Sequence, residues 1–282
     1  MKYFILIIEL AILAGCGITE PIVDQEDEHY SSLEKGNKVV VCHKNSAGNY
    51  NKIEISERAL EAHLNHGDGQ PGDAVPDNEG FIFTENCDCV PDCPGTVEYN
   101  GQIYNTVEIG DQCWLKENLN VGVMVDGSLD QTDNSAIEKY CYDDDPANCT
   151  TYGGLYQWNE AMQYSTIEGS QGICPVGWHI PTIAEYYTLI TYVGGDGNAL
   201  KEVGQGTGAG AGTNTSGFSA LLAGVRLVNR FVGIGTDGIY WSSTEDLGTI
   251  SAYPLFLVNS SSTIVVHEFV KKDGVCVRCV KD

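Results

Sequence analysis

"GICPVGWHIPTIAEYYTLITYV", residues 172–193, joins an irregular, proline-bearing lead to a helical pattern. Thr182 and Glu185 have the spacing of a capping box, in which each side chain satisfies the other's backbone N–H. Directly after them, Tyr186, Leu189, Ile190 and Val193 fall at i, i+3, i+4 and i+7, the apolar stripe of a helix that faces a core. Pro181 fixes the backbone that enters the helix, and Trp178 is expected to be buried at the hinge. His179 invites a catalytic reading. A catalytic histidine needs an orienting carboxylate and a nucleophile, and no local pattern supplies a recognisable set. The stretch therefore reads as a helix entrance.

Working outward, "GGLYQWNEAMQY" (153–164) is expected to form an earlier helix, and Asn100-Gly101 between apolar runs is a hairpin signal. After the capped helix comes "EVGQGTGAGAGTNTSGF" (202–218), a long glycine-rich loop. It lacks the lysine and hydroxyl ending of a phosphate-binding loop and does not join a strand to a helix, so a nucleotide site is rejected. "IYWSSTED", "AYPLFLV", "STIVVHEFV" and "GVCVRCV" then read as a C-terminal meander of strands. No repeat of 20 to 50 residues is visible.

Ahead of this region lies a smaller module, residues 37–95. "KVVVCHK" and "YNKIEI" read as paired strands across "NSAGN". "SERALEAHLNHG" reads as a short helix capped by Ser56, with Leu60 and Leu64 on one face and Gly67 at its end. Cysteines in "NCDCVPDCPG" are expected to staple a piece too small for a large core. Residues 16–36 are polar and acidic and read as a tether. In "MKYFILIIELAILAGCG" an apolar run too short to span a bilayer reads as a signal peptide over residues 1–15.

The net charge of −24, from 15 basic and 39 acidic residues, gives nucleic acid no basic patch to bind. Eleven cysteines are too many for an ordinary reduced cytosolic protein, and without Cys16 the even remainder suits disulfides in an oxidising compartment.

Leu13-Ala14-Gly15-Cys16 resembles the lipobox of bacterial lipoproteins, which implies a lipidated Cys16 and an outer-membrane address, surface-exposed or periplasmic. The acidic residues that follow are similar to surface-export signals of Bacteroidetes lipoproteins. "YNTVEIGDQCWLKENLN", "YCYDDDPANCTTYGGLYQWNEAM", "GICPVGWHIPT", "SGFSALLAGVR", "YWSSTED" and "VRCVKD" resemble, in that order, the Fibrobacter succinogenes major paralogous domain, over most of residues 96–282. The resemblance implies an α+β, C-type-lectin-like fold with two helices, antiparallel strands and a long loop. It implies no chemistry. One departure is the loop, where relatives often carry a tryptophan and this chain has glycine, alanine and threonine. "VRCV" is also similar to the ending of formylglycine-generating enzymes, so a second reading is metal-dependent cysteine oxidation, which requires two free, partly exposed thiols.

Candidate sites follow. Cys141 and Cys149 bracket a short loop that a disulfide could close, and Cys174–Cys279 would tie the capped helix to the last strand. Cys276 and Cys279, three apart on a strand, face opposite sides and should bond to separate partners. Asp143, Asp144 and Asp145 offer oxygens for calcium, but no EF-hand or lectin calcium motif accompanies them, and a hydrogen-bonded acidic turn is the commoner use of such a run. In the small module, His63 and His66 share a helical face and could hold zinc with Cys42. His43 beside Cys42 should point the other way, so both cannot easily join one site. His66 could instead favour the negative end of its helix, and His63 could simply pack. The module resembles a cysteine/histidine segment ending "AHL-x-HGD" in other secreted bacterial proteins. A glycan or surface protein is expected to bind at the glycine-rich loop, beside Trp241, Ser242, Ser243, Thr244 and Glu245, an aromatic with hydroxyls and a carboxylate, although a tryptophan in this position is more often a core residue. Replacing residues 205–213 with a short linker is accordingly expected to leave folding intact and to remove ligand binding.

Overall fold

The computed structural model describes residues 37–76, 80–228 and 230–282; the expected leader (1–15), the lipidated Cys16 and the tether (16–36) lie outside them. The chain divides between Asp92 and Cys93, a little before the expected 95/96, because Cys93 is bonded to Cys113 within the second unit. Among the described residues no helix is long and apolar enough to cross a membrane.

In the first unit, strands Lys38–Lys44 and Tyr50–Ser56 pair antiparallel, with Cys42 opposite Lys52. A short helix, Leu60–Leu64, follows, but Ser56 makes no side-chain capping bond. Strands Phe81–Phe83 and Cys89–Pro91 form a second pair. The core is small: Cys42, Tyr50, Val75, Phe83 and Cys87 are buried, and Cys42–Cys87 crosses it. A Cβ on Gly69 would lie 2.4 Å from the Phe83 ring, so only glycine lets this backbone run against the core and pair with Cys42.

The second unit mixes helix and sheet. Its main sheet is antiparallel and runs in the order Trp178–His179, Val280–Lys281, Gln112–Leu115, Gln102–Ile109, Thr96–Tyr99. The expected hairpin is present, with Asn100 and Gly101 both at positive φ. A second sheet pairs Asp237–Tyr240 with Leu255–Val258 and then Val265–Val266. The helix Ile183–Tyr192 carries the full capping box of Thr182 and Glu185. Tyr186 and Leu189 are buried, and Ile190 and Val193 pack half-buried behind them. The earlier helix differs from expectation. Only Trp158–Ala161 is helical, ended by positive φ at Gln163 and Tyr164. The longer element is Pro146–Tyr152, where Asp145 accepts from the Ala147 N–H and Pro146 occupies the first turn. An N-cap aspartate followed by proline was there to be read in the sequence.

Two disulfides join the expected partners, Cys141–Cys149 and Cys174–Cys279. Cys276 departs from the expectation of full pairing: it is buried and free. It does face away from Cys279. The two sulfurs belong to different core clusters.

The middle of the glycine-rich loop is pinned to the protein's own backbone. The Thr207 N–H donates to Asn259 O at 2.7 Å, and a Cβ on Gly210 would lie 2.3 Å from the same carbonyl. Its glycines permit close approach to the protein's own backbone. Lys201, fully buried, donates to Gly210 O (2.5 Å), Val258 O (2.8 Å) and Ser261 O (2.9 Å). Excising 205–213 would therefore remove a partner of a buried ammonium, which corrects the expectation that the segment is dispensable.

We predict that Lys201→Met lowers stability by roughly 3 kcal/mol, because buried carbonyls lose a charged donor. Urea denaturation measures it; an unchanged midpoint would show that the three carbonyls find other donors.

Candidate functional site

His179 is held from both sides. Nδ1 lies 2.7 Å from Asp282 Oδ1 and Nε2 lies 2.8 Å from Glu185 Oε1, while Glu185 Oε2 accepts from the Thr182 N–H and hydroxyl. Orienting carboxylates are thus present, contrary to the local reading of the sequence, because one comes from the far end of the chain. Both carboxylates bind the imidazole as a structural clasp at the mouth of the helix. Burial disfavours its charge, but Glu185 and then Asp282 outweigh that and raise its pKa above the ordinary 6.5. Burial likewise acts to raise Glu185, and the bond and charge of His179, followed by the Thr182 donors, bring it below 4.5.

Of the residues expected to bind ligand, Trp241, Ser242 and Ser243 are buried and Thr244 and Glu245 are half-buried. Trp241 is fully buried and donates from Nε1 to Tyr156 O at 2.8 Å. Ser242 is buried and donates to Tyr253 O. Ser243 accepts from the Gly169 N–H, and Thr244 accepts from the Ile183 N–H at 2.9 Å while donating to Glu168. Glu245 pairs with Lys271. The group ties loops together around the helix entrance. In the run Asp143–Asp145, two carboxylates accept hydrogen bonds from backbone. Asp144 accepts from the Gly127 N–H, and Asp145 is spent on its helix cap.

The second unit does carry a cleft of about 350 Å³, formed by the segment after strand Gln112–Leu115, the end of helix Pro146–Tyr152 and the start of the glycine-rich loop. Its floor is Asn118, buried and held rigidly: Nδ2 donates to Tyr152 O at 2.8 Å and Oδ1 accepts from Arg278 at 2.6 Å. Gly153 ends the helix at φ +85°, pressed against Asn118 where a Cβ would approach to 2.6 Å. On the rim, Glu117 is engaged by Asn105 at 2.7 and 2.8 Å. The Lys116 ammonium, the Tyr152 hydroxyl and the Glu202 carboxylate line the cleft without a hydrogen bond or ion pair among the described residues. A cation, a carboxylate and an aromatic hydroxyl on fixed backbone can orient a polar ligand. The sequence did not single these residues out, since isolated polar side chains leave no periodic or motif signal.

In the first unit the structure redistributes the expected metal ligands. Cys42 is consumed by its disulfide with Cys87, and His66 does not join the cluster. His43, His63 and Asp68 come together: the two Nδ1 atoms lie 2.8 and 2.7 Å from Asp68 Oδ2. The alternation of strand side chains, correctly applied, sends Cys42 inward and His43 to the other face.

The sequence profile described as the Fibrobacter succinogenes major domain matches residues 107–281. No curated protein and no solved structure matches the chain.

The clasp at His179 sets a pH dependence. The histidine's contribution is complete below about pH 6.5 and fades as pH rises through its raised value; that of Glu185 fades as pH falls through its lowered value. We predict that His179→Gln lowers Tm most at pH 5.5–6.5 and progressively less towards pH 9. Thermal melts of both proteins across that range test it, and a constant difference in Tm would contradict it.

Proposed function

The chain belongs to the Fibrobacter succinogenes major domain family, and on that premise we propose that it is a lipid-anchored cell-envelope protein that binds a glycan rather than catalysing a reaction. The cleft over Asn118 carries this reading. Lys116 and Glu202 can hydrogen-bond vicinal hydroxyls, and Tyr152 offers a ring with a polar tip, the mixed surface that sugars favour. The floor is fixed by Arg278 and by the disulfide-closed helix, so ligand binding would need little reordering. A polar segment of a surface protein could use the same groups.

We read the second unit as C-type-lectin-like. Support comes from the sheet in which Val280–Lys281 lies between Trp178–His179 and Gln112–Leu115, with the capped helix and long loop between them in sequence. The envelope address rests on the "LAGC" sequence and on the disulfides, which need an oxidising compartment. The anchored end places the protein at a membrane, and its charge of −24 leaves nucleic acid without a partner surface.

The alternative, cysteine oxidation in the manner of formylglycine-generating enzymes, asks for two reachable thiols. Among the described residues Cys276 is the free one, and burial pushes its pKa up to about 12, far from a reactive thiolate. That favours binding over oxidation.

Two measurements follow. Glycan-array binding, followed by calorimetry on a hit, should show Lys116→Ala and Glu202→Ala each weakening binding about tenfold, the value of one charged hydrogen bond, with unchanged melting. Full binding by the double variant would place the ligand elsewhere. In a Gram-negative host, wild type should carry acyl chains on Cys16 and partition into membranes, and Cys16→Ala should be released. Membrane retention of that variant would remove the anchor.

A further inference from the structure

The first unit contains a built constellation that the glycan reading does not use. Asp68 has a side chain only 1% exposed, yet both its oxygens are committed. Oδ1 accepts from the Lys44 N–H at 2.8 Å, which fixes the carboxylate and turns Oδ2 towards His43 and His63. His43 comes from a strand, His63 from a helix and Asp68 from the turn after it. The backbone pairing of Cys42 with Gly69 locks the two residues next to these, His43 and Asp68, side by side. The Cys42–Cys87 bond secures that pairing to the core.

We propose that His43 Nδ1, His63 Nδ1 and Asp68 Oδ2 form a binding site for a divalent transition ion of the zinc class. One ligand atom from each of the three residues lies within 4.8 Å of those from the other two, and both Nδ1 atoms adjoin Asp68 Oδ2. Zinc ligands at about 2.0–2.1 Å in a tetrahedron stand roughly 3.3 Å apart. The present N···O contacts of 2.7 and 2.8 Å need to widen by about half an ångström to admit the ion, a small side-chain rotation. Each neutral imidazole supplies a lone pair at Nδ1 by carrying its proton on Nε2. The Lys44 N–H on Oδ1 is the outer bond that holds a ligating carboxylate in place. The side chains of His43 and His63 are 44% and 26% exposed, so solvent reaches the site and can fill the fourth position. A unit with so small a core also gains from a metal as a staple.

The test uses the full chain without a histidine tag, stripped with chelator, and zinc chloride as the probe. Calorimetry should give one equivalent bound at micromolar Kd or tighter, with Tm raised on addition of zinc. His43→Ala and His63→Ala should each weaken binding at least a hundredfold, whereas His66→Ala should leave it unchanged. Cobalt substitution provides a readout independent of folding: wild type should show visible bands of a low-symmetry site, and His63→Ala should lose them. Equal zinc binding by wild type and the His43→Ala/His63→Ala double variant, or no binding by folded wild type, overturns the proposal and leaves a hydrogen-bonded clasp. Neither result bears on the cleft over Asn118, which lies in the other unit.

Discussion

Arg278 enters the core of the second unit fully buried, packed 4.4 Å from the centre of the Phe218 ring and 5.4 Å from that of Tyr240. Among the described residues no carboxylate forms an ion pair with it. Its guanidinium donates instead to Phe218 O and to Asn118 Oδ1. Arg226 likewise serves carbonyls, giving 2.9, 3.0 and 2.9 Å bonds to those of Gly127, Lys272 and Leu129 over the face of Tyr140, with the Asp130 carboxylate 3.8 Å away. Lys201 does so a third time at the glycine-rich loop. The reason lies in the architecture. Short strands and long irregular connections leave many buried carbonyls without a ladder partner, and each such group is costly if unpaired. A cation with several donors satisfies two or three at once. The cleft, its Asn118 floor and the pinned loop all depend on this arrangement.

Reading the sequence succeeded where a signal was local. The capping box at Thr182 and Glu185 needs only a spacing, and the Cys141–Cys149 bond closes a loop of nearby residues. Reading failed where burial inverted the usual habit of a residue type. Trp241 has the core position that is usual for a tryptophan, but Ser242 and Ser243 beside it had the chemistry of ligand contacts, and their hydroxyls bond instead to loop backbone that must be satisfied inside. Lys201, Arg226 and Arg278 passed unnoticed because charged side chains are almost always solvated.

The cluster of His43, His63 and Asp68 shows a narrower kind of failure. His63 was recognised from helix spacing, and the strand rule separating Cys42 from His43 was sound. What the sequence could not reveal was which of the two the core would claim. That depended on Cys87, 45 residues further on, and on Gly69 fitting under Phe83. Asp68 carried no helical or strand signal, because its role comes from the turn that brings it under two imidazoles.

Cys174 and Cys279 lie 105 residues apart, and Val280–Lys281 pairs directly with Trp178–His179 beside them. Between these closures lie the capped helix, the glycine-rich loop and the second sheet. A protease that cuts any exposed turn in that interval, such as the one carrying Leu247 and Ile250, leaves two pieces still joined through sulfur and through the sheet. A nicked second unit can therefore stay in one piece, held by a covalent bond and a strand pairing that both lie outside the cut interval.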